Sequence, residues 1–107
     1  MLTRARLREK VKPVARRLRS AAHLSRLSVL YLLAHEPMIA RDIVDHLGLA
    51  ENLVAHHLKQ LHLGGWVVKT RQGREVTYQL REKAFLEFFR LFEDTPFEKE
   101  VLSKYFK

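Results

Sequence analysis

Apolar residues fall along the chain in two periods, and the switch between them divides it. Leu7, Val11, Val14 and Leu18 recur at spacings of four, three and four, which is one face of a helix. Pro13 interrupts that run and predicts either a kink or a helix starting near Lys12 with Pro13 in its first turn. A second helical run carries Leu24, Leu27, Leu30, Tyr31 and Leu33. It stops before Glu36-Pro37, because the residue before a proline disfavours helical geometry. A third helix is short, with Ile43, Val44 and Leu47 apolar and Gly48 as a left-handed cap. A fourth runs from about Glu51 to Leu63, with Val54, Leu58 and Leu61 as its inner stripe and Gly64-Gly65 closing it.

The period then changes from helical to alternating. Trp66 to Thr70 reads as a strand, Arg71-Gln72-Gly73-Arg74 as a turn, and Glu75 to Leu80 as a second strand with Val76, Tyr78 and Leu80 on one face. Two such runs joined through a glycine turn predict a hairpin. A fifth helix carries Phe85, Phe88, Phe89 and Phe92 at i, i+3, i+4 and i+7. A sixth, over 95–106, is signalled by Thr95-Pro96-Phe97-Glu98, a capping box with proline at the first helical position. Its apolar positions are Phe97, Val101, Leu102 and Tyr105. No internal repeat, low-complexity tract or linker interrupts the 107 residues, so one domain is expected: a basic extension over 1–12, a core over 13–92 and the C-terminal helix. The fold class is mainly α with one small β-hairpin.

The order helix, short helix, tight glycine turn, helix, hairpin matches a helix-turn-helix followed by a wing. Gly48 lets the chain reverse, and Leu49 plugs the angle between the two helices. With Val54, Leu58 and Leu61 facing inward, Asn52, Ala55, His56 and Lys59 face outward at helical spacing. Asn and His bond base edges, and Lys reaches phosphates. The hairpin adds Lys69, Arg71, Gln72 and Arg74 around its turn, a basic tip suited to phosphates or a minor groove. The alternative for the tip is a plain solvated turn.

Charge sharpens this reading. The chain carries +8 with a pI near 10.2. Residues 1–20 hold eight basic side chains against the single acid Glu9, so they carry +7 and the remaining residues only +1. Such an arm suits a polyanion, either nucleic acid or an anionic membrane surface. There are no cysteines, hence no disulfide, thiolate metal site or cysteine nucleophile. No apolar run approaches the ~20 residues of a membrane span. No apolar stretch follows the basic start, so a secretory signal is not expected and a cytoplasmic location is. A Gly-rich phosphate loop and a Ser/His/Asp or paired-carboxylate pattern are also missing, so an enzyme is not expected.

Several stretches together resemble the ArsR/SmtB family of winged-helix repressors. They are His23 to Leu33, Asp42 to Leu49, Val54-Ala55-His56-His57-Leu58-Lys59-Gln60-Leu61, Gly65-Trp66-Val67-Val68, and Gly73 to Leu80. The resemblance covers about residues 14–92. It implies a homodimeric, DNA-binding transcriptional regulator, with the helix over 51–63 in the major groove of each half of a pseudo-palindromic operator. It also implies that the first and fifth helices pair across a two-fold axis, through Val11, Val14, Leu18, Phe85, Phe88, Phe89 and Phe92. The alternative for the phenylalanine ridge is packing onto the chain's own core.

The chain departs from the family at its sensing positions. Where members bind metals through cysteines on the third helix, Val44 and Asp45 stand here, and the fifth helix has no histidine. No metal and no cofactor are therefore expected, and the effector stays open. Adjacent His56 and His57 point about 100° apart and do not chelate one ion. Asp42 and His46, at i and i+4, read as a solvated face. His57 reads as a half-buried structural residue and His23 as a cap or hinge. Ala50 and Ala55 stand where the family often has serine, leaving fewer base-reading groups. Two other readings therefore compete with an operator-specific repressor: a low-specificity architectural DNA-binding protein, and a winged helix that binds protein.

Overall fold

The computed structural model describes residues 2–105. Helix α1 spans Arg4–Ala21, α2 Leu24–Leu33, α3 Ala40–Leu47 and α4 Glu51–Leu63. A two-residue strand β1, Met38–Ile39, precedes α3. Strands β2, Val67–Gln72, and β3, Glu75–Leu80, follow α4, and then comes α5, Glu82–Arg90. The end of the chain holds a π-helical turn, Glu98–Leu102, and a last helical turn α6, Ser103–Tyr105.

Helix α1 neither stops nor starts at Pro13. It begins at Arg4, where the Thr3 hydroxyl accepts from the Arg6 N–H at 3.2 Å, and Pro13 lies in its interior. The cap and the good helix formers around it outweigh the proline's missing donor. Residues 2–13 are all exposed, and the helix touches α4 and α5 through its C-terminal half. Arg4, Arg8, Lys12 and Arg16 recur at i, i+4 along it, and no acid stands in its first turn. Each like-charged neighbour at that spacing opposes the helix by roughly 0.2–0.5 kcal/mol.

The core lies where α2, α3 and α4 meet the base of the sheet. Val29, Ile43, Val54, Leu58, Leu61 and Val67 are fully buried there. On α2 the inward positions are Val29, Leu30 and Leu33, while Leu24, Leu27 and Tyr31 point to solvent. Gly48 ends α3 at φ 65°, the left-handed cap that a side chain would strain. Gly64 is required for a different reason. A Cβ there would lie 2.0 Å from the Ser20 hydroxyl, so only glycine lets α1 approach the end of α4 this closely.

The sheet has three strands in the order β1-β3-β2, all antiparallel. Strand β1 is absent from the sequence reading, since two residues carry no period of their own. It exists because Met38 and Ile39 find Tyr78 and Thr77 on the free side of β3. Strand β2 runs two residues further than expected, to Gln72, which leaves Gly73-Arg74 as a two-residue turn. At the C-terminus the Thr95 hydroxyl accepts from the Glu98 N–H at 3.2 Å as a capping box requires. The return bond to Glu98 Oε1 comes from Asp94, one residue earlier than expected. The helix that follows opens into its π turn, and position 106 of the expected helix lies outside the described residues.

The two faces of α4 make contrasting demands. Leu58 is 1% exposed and Leu53 is 42% exposed. Leu58→Ala is expected to lower unfolding stability by about 2–5 kcal/mol. Leu53→Ala should stay within about 0.5 kcal/mol of the parent in the same urea titration.

Candidate nucleic-acid interface

The candidate surface begins with how α4 is seated. Val54, His57, Leu58 and Leu61 form its buried side. Asn52, Ala55, His56 and Lys59 are all exposed on the opposite side, as their spacing requires. Leu63 continues that outer row at its C-terminal end and is exposed too. It stands one turn beyond Lys59 and is absent from the outward set expected from spacing. Ala50 occupies the N-cap and supplies no side-chain bond. The first α4 amides are thus left without a side-chain acceptor at the end nearest the turn.

The hairpin extends the surface. Val67 pairs with Leu80, Lys69 with Tyr78 and Arg71 with Val76, so these six side chains share one face. At the base that face buries Val67 in the core, and towards the tip it presents Lys69 and Arg71. Lys69, Arg71, Gln72 and Arg74 are all exposed. Arg71 Nε donates to the Gly73 carbonyl at 3.3 Å, which folds its guanidinium over the turn. Between helix and hairpin lies a groove of about 360 Å³ lined by Ala55, Lys59, His62, Leu63, Lys69 and Tyr78 among others. Its cations are one lysine from each side.

Behind this surface sits a polar connection that the sequence did not reveal. His57 is 3% exposed, fully buried rather than half-buried. Arg26 Nε donates to His57 Nδ1 at 3.1 Å, and the Arg26 Nη1 donates to the Ser20 carbonyl at 3.2 Å. One arginine thereby joins α4, α2 and α1. His23, expected as a cap or hinge, caps α2: its Nδ1 accepts from the Ser25 N–H at 3.1 Å. Its ring lies 4.7 Å from that of His57. Because Nδ1 of His57 accepts, the ring is neutral with its proton on Nε2. Burial pushes its pKa below the ordinary 6.5, and the neighbouring His23, Arg26 and His56 charges push the same way.

The residues expected to form a subunit contact occupy a separate face. Val11 and Leu18 are exposed and Val14 is half-buried. Phe85 packs edge-on against Trp66 at 5.1 Å, so this end of the ridge touches the chain's own core. Phe88 stacks edge-on with both Phe89 and Phe92, and Phe89 is exposed. Among the described residues, no group of three or more His, Asp or Glu is arranged to hold a metal ion, and no helix is long and apolar enough to cross a membrane.

Residues 24–67, which span α2 to the start of the hairpin, match the model of bacterial regulatory proteins of the arsR family. The matched stretch takes in the helix-turn-helix made by α3 and α4. Over 67 residues the chain is 36% identical to the transcriptional regulator NmtR of Mycobacterium tuberculosis, covering 63% of this chain and 56% of that one. It is 35% identical over 65 residues to the transcriptional repressor SmtB of the same organism, covering 61% and 48%. The chain thus spans about half the length of the curated relatives it matches. The fold is shared more widely. A homodimeric winged helix-turn-helix DNA-binding domain from Mycobacterium bovis superposes with a TM-score of 0.68 at 24% identity, over 92% of this chain and 94% of that one. An ArsR-like regulator from Rhodococcus reaches 0.72 at 21% identity, over 79% and 80%. The fold is therefore a winged helix-turn-helix with the hairpin β2–β3 as its wing.

The buried histidine sets a pH dependence. His57 binds a proton less readily in the folded chain than in the unfolded one, so stability is full above about pH 6.5. It declines as the pH falls from there towards the lowered folded value. Chemical unfolding midpoints should drop across that window in the parent, and the drop should be shallower in His57→Gln.

Proposed function

We propose that the protein is a dimeric, sequence-specific regulator of transcription that lays α4 in the major groove of duplex DNA and its wing on the adjacent backbone or minor groove. One observation carries the reading. The side of α4 opposite its buried stripe is free along its length, and Lys69, Arg71, Gln72 and Arg74 of the wing beside it are exposed. A helix held from behind and open in front is the geometry a major groove admits.

The roles follow from side-chain chemistry. Asn52, near the end of α4 that enters first, suits the paired acceptor and donor of adenine, and Ala55 suits a thymine methyl. His56 bonds a base edge and Lys59 a phosphate. Lys69, Arg71, Gln72 and Arg74 hold the backbone or enter the minor groove. The family match supports a regulator, and the repressor SmtB among the relatives supports repression. A regulator of this kind works in the cytoplasm. Neither the match nor the fold gives the domain an enzymatic role.

A second copy completes the assembly. Leu7, Val11 and Leu18 stand exposed at the spacing of a paired-helix seam, and Leu86 and Phe89 of α5 are exposed as well. The M. bovis domain of like fold is a homodimer. A two-fold pairing through α1 and α5 would cover these side chains and place two α4 helices on successive half-sites.

A less specific DNA-binding role is favoured by one feature: Ala50 and Ala55 offer no hydroxyl to DNA. Selection of bound fragments from random duplexes separates the two readings. An enriched palindrome is expected, and equal recovery of all sequences would select the less specific role. On the enriched site, Asn52→Ala should cost about 1–3 kcal/mol and relax the preference at one base pair. The double change Arg71→Gln and Arg74→Gln should instead weaken binding to every sequence alike.

A further inference from the structure

Helix α1 holds most of the chain's net charge, and the proposed function gives its cations no part. Arg4, Arg8, Lys12 and Arg16 recur every fourth residue, so they stand about 6 Å apart in a row along the helix. All four are exposed, as is Arg19 beyond them, and none is paired with an acid among the described residues. The ion pair of α1 belongs to Arg17, which joins Glu87 of α5 and so ties down the C-terminal half. The N-terminal half stands clear of the body.

This row is costly to hold as a helix. Its neighbours repel at every turn, and the first turn sets arginines at the positive end of the helix dipole with no acid to offset it. A sequence that needed only a solvated rod has no reason to keep these cations aligned. Phosphates laid along the row remove the conflict. Residues 1–20 carry +7 and the rest of the chain, recognition helix and wing included, only +1. The long-range attraction to a polyanion therefore originates mainly here.

We infer that the Arg4, Arg8, Lys12 and Arg16 row is a second, sequence-independent contact with the duplex phosphate backbone, beyond the base pairs that α4 reaches. The inference rests on the proposed DNA-binding function. The position of the arm fits it. Trp66 Nε1 donates to the Arg17 carbonyl at 2.7 Å, and Ser20 packs against Gly64, so α1 is anchored at the C-terminal end of α4. The arm thus adds charge away from the end of α4 whose side chains reach base edges. An anionic membrane is the other polyanion a basic amphipathic helix suits, but such helices carry aromatic or broad apolar faces. The stripe here is the narrow aliphatic set Leu7, Val11, Val14 and Leu18.

The test compares the parent protein, the variant Arg4→Gln/Arg8→Gln/Lys12→Gln/Arg16→Gln and the wing variant Arg71→Gln/Arg74→Gln on a random-sequence duplex between about 50 and 200 mM salt. Helix content and oligomeric state are measured alongside. The arm variant should keep both, and its plot of log affinity against log salt should be shallower by about 0.9 for each phosphate it no longer neutralises, up to about 3.6 per arm. Base preference, measured by competition between sequences, should not change. If the parent binds and the wing variant shows a reduced slope while the arm variant keeps the full slope, the arm inference is overturned and the regulator reading stands. If the parent binds no duplex, both fall. If the arm variant keeps the full DNA slope but no longer binds phosphatidylserine vesicles that the parent binds, the row serves a membrane and the inference is overturned.

Discussion

The molecule depends on one constraint: α4 must be clamped along a single side so that the other side is free. Val54, Leu58 and Leu61 supply the apolar grip, and burial of their side chains is the dominant favourable term at that contact. His57 adds direction. A stripe of aliphatic side chains allows small rotations of a helix, whereas a hydrogen bond from Arg26 to a particular ring nitrogen fixes its angle. Arg26 also reaches the Ser20 carbonyl, so the same guanidinium sets where α1 leaves the body. The orientation of the free face and the direction of the basic arm are thereby coupled through one side chain.

That coupling makes the connection sensitive to its own protonation. The bond requires His57 to accept through Nδ1, and the surrounding His23, Arg26 and His56 all disfavour a second proton. The neutral ring is a structural requirement of the seat beneath α4. The groove between α4 and the wing is shaped by the same packing, because the buried Leu58 lines it together with Tyr78, Lys59 and Lys69. Stability, helix orientation and surface charge thus meet within a few residues.

Much of this was legible in the chain because it is written in local patterns. The bounds of α4, its inner stripe, the Gly48 cap and the strand Glu75–Leu80 follow from period and from glycine placement, and the structure has them as read. What escaped is determined by partners distant in sequence. Strand β1 is two residues long and exists through pairing with β3. The burial of His57 depends on Arg26, 31 positions away. Local rules penalise Pro13 and so point to a kink or a helix start there, yet Thr3 caps the helix well before it and α1 continues through. On α2, aliphatic residues cover both faces, so composition alone did not say that Leu24, Leu27 and Tyr31 would turn outward.

The central claim is that the free side of α4 and the wing tip meet a duplex. A nitrogen–proton correlation spectrum of the isotope-labelled protein, recorded while an enriched duplex is added, tests it most directly. The account predicts that the largest amide shifts fall at Asn52, Ala55, His56 and Lys59 and at Lys69 to Arg74, with Leu58 and Leu61 little moved. Shifts concentrated on α2 and α3 with those positions unmoved would contradict it.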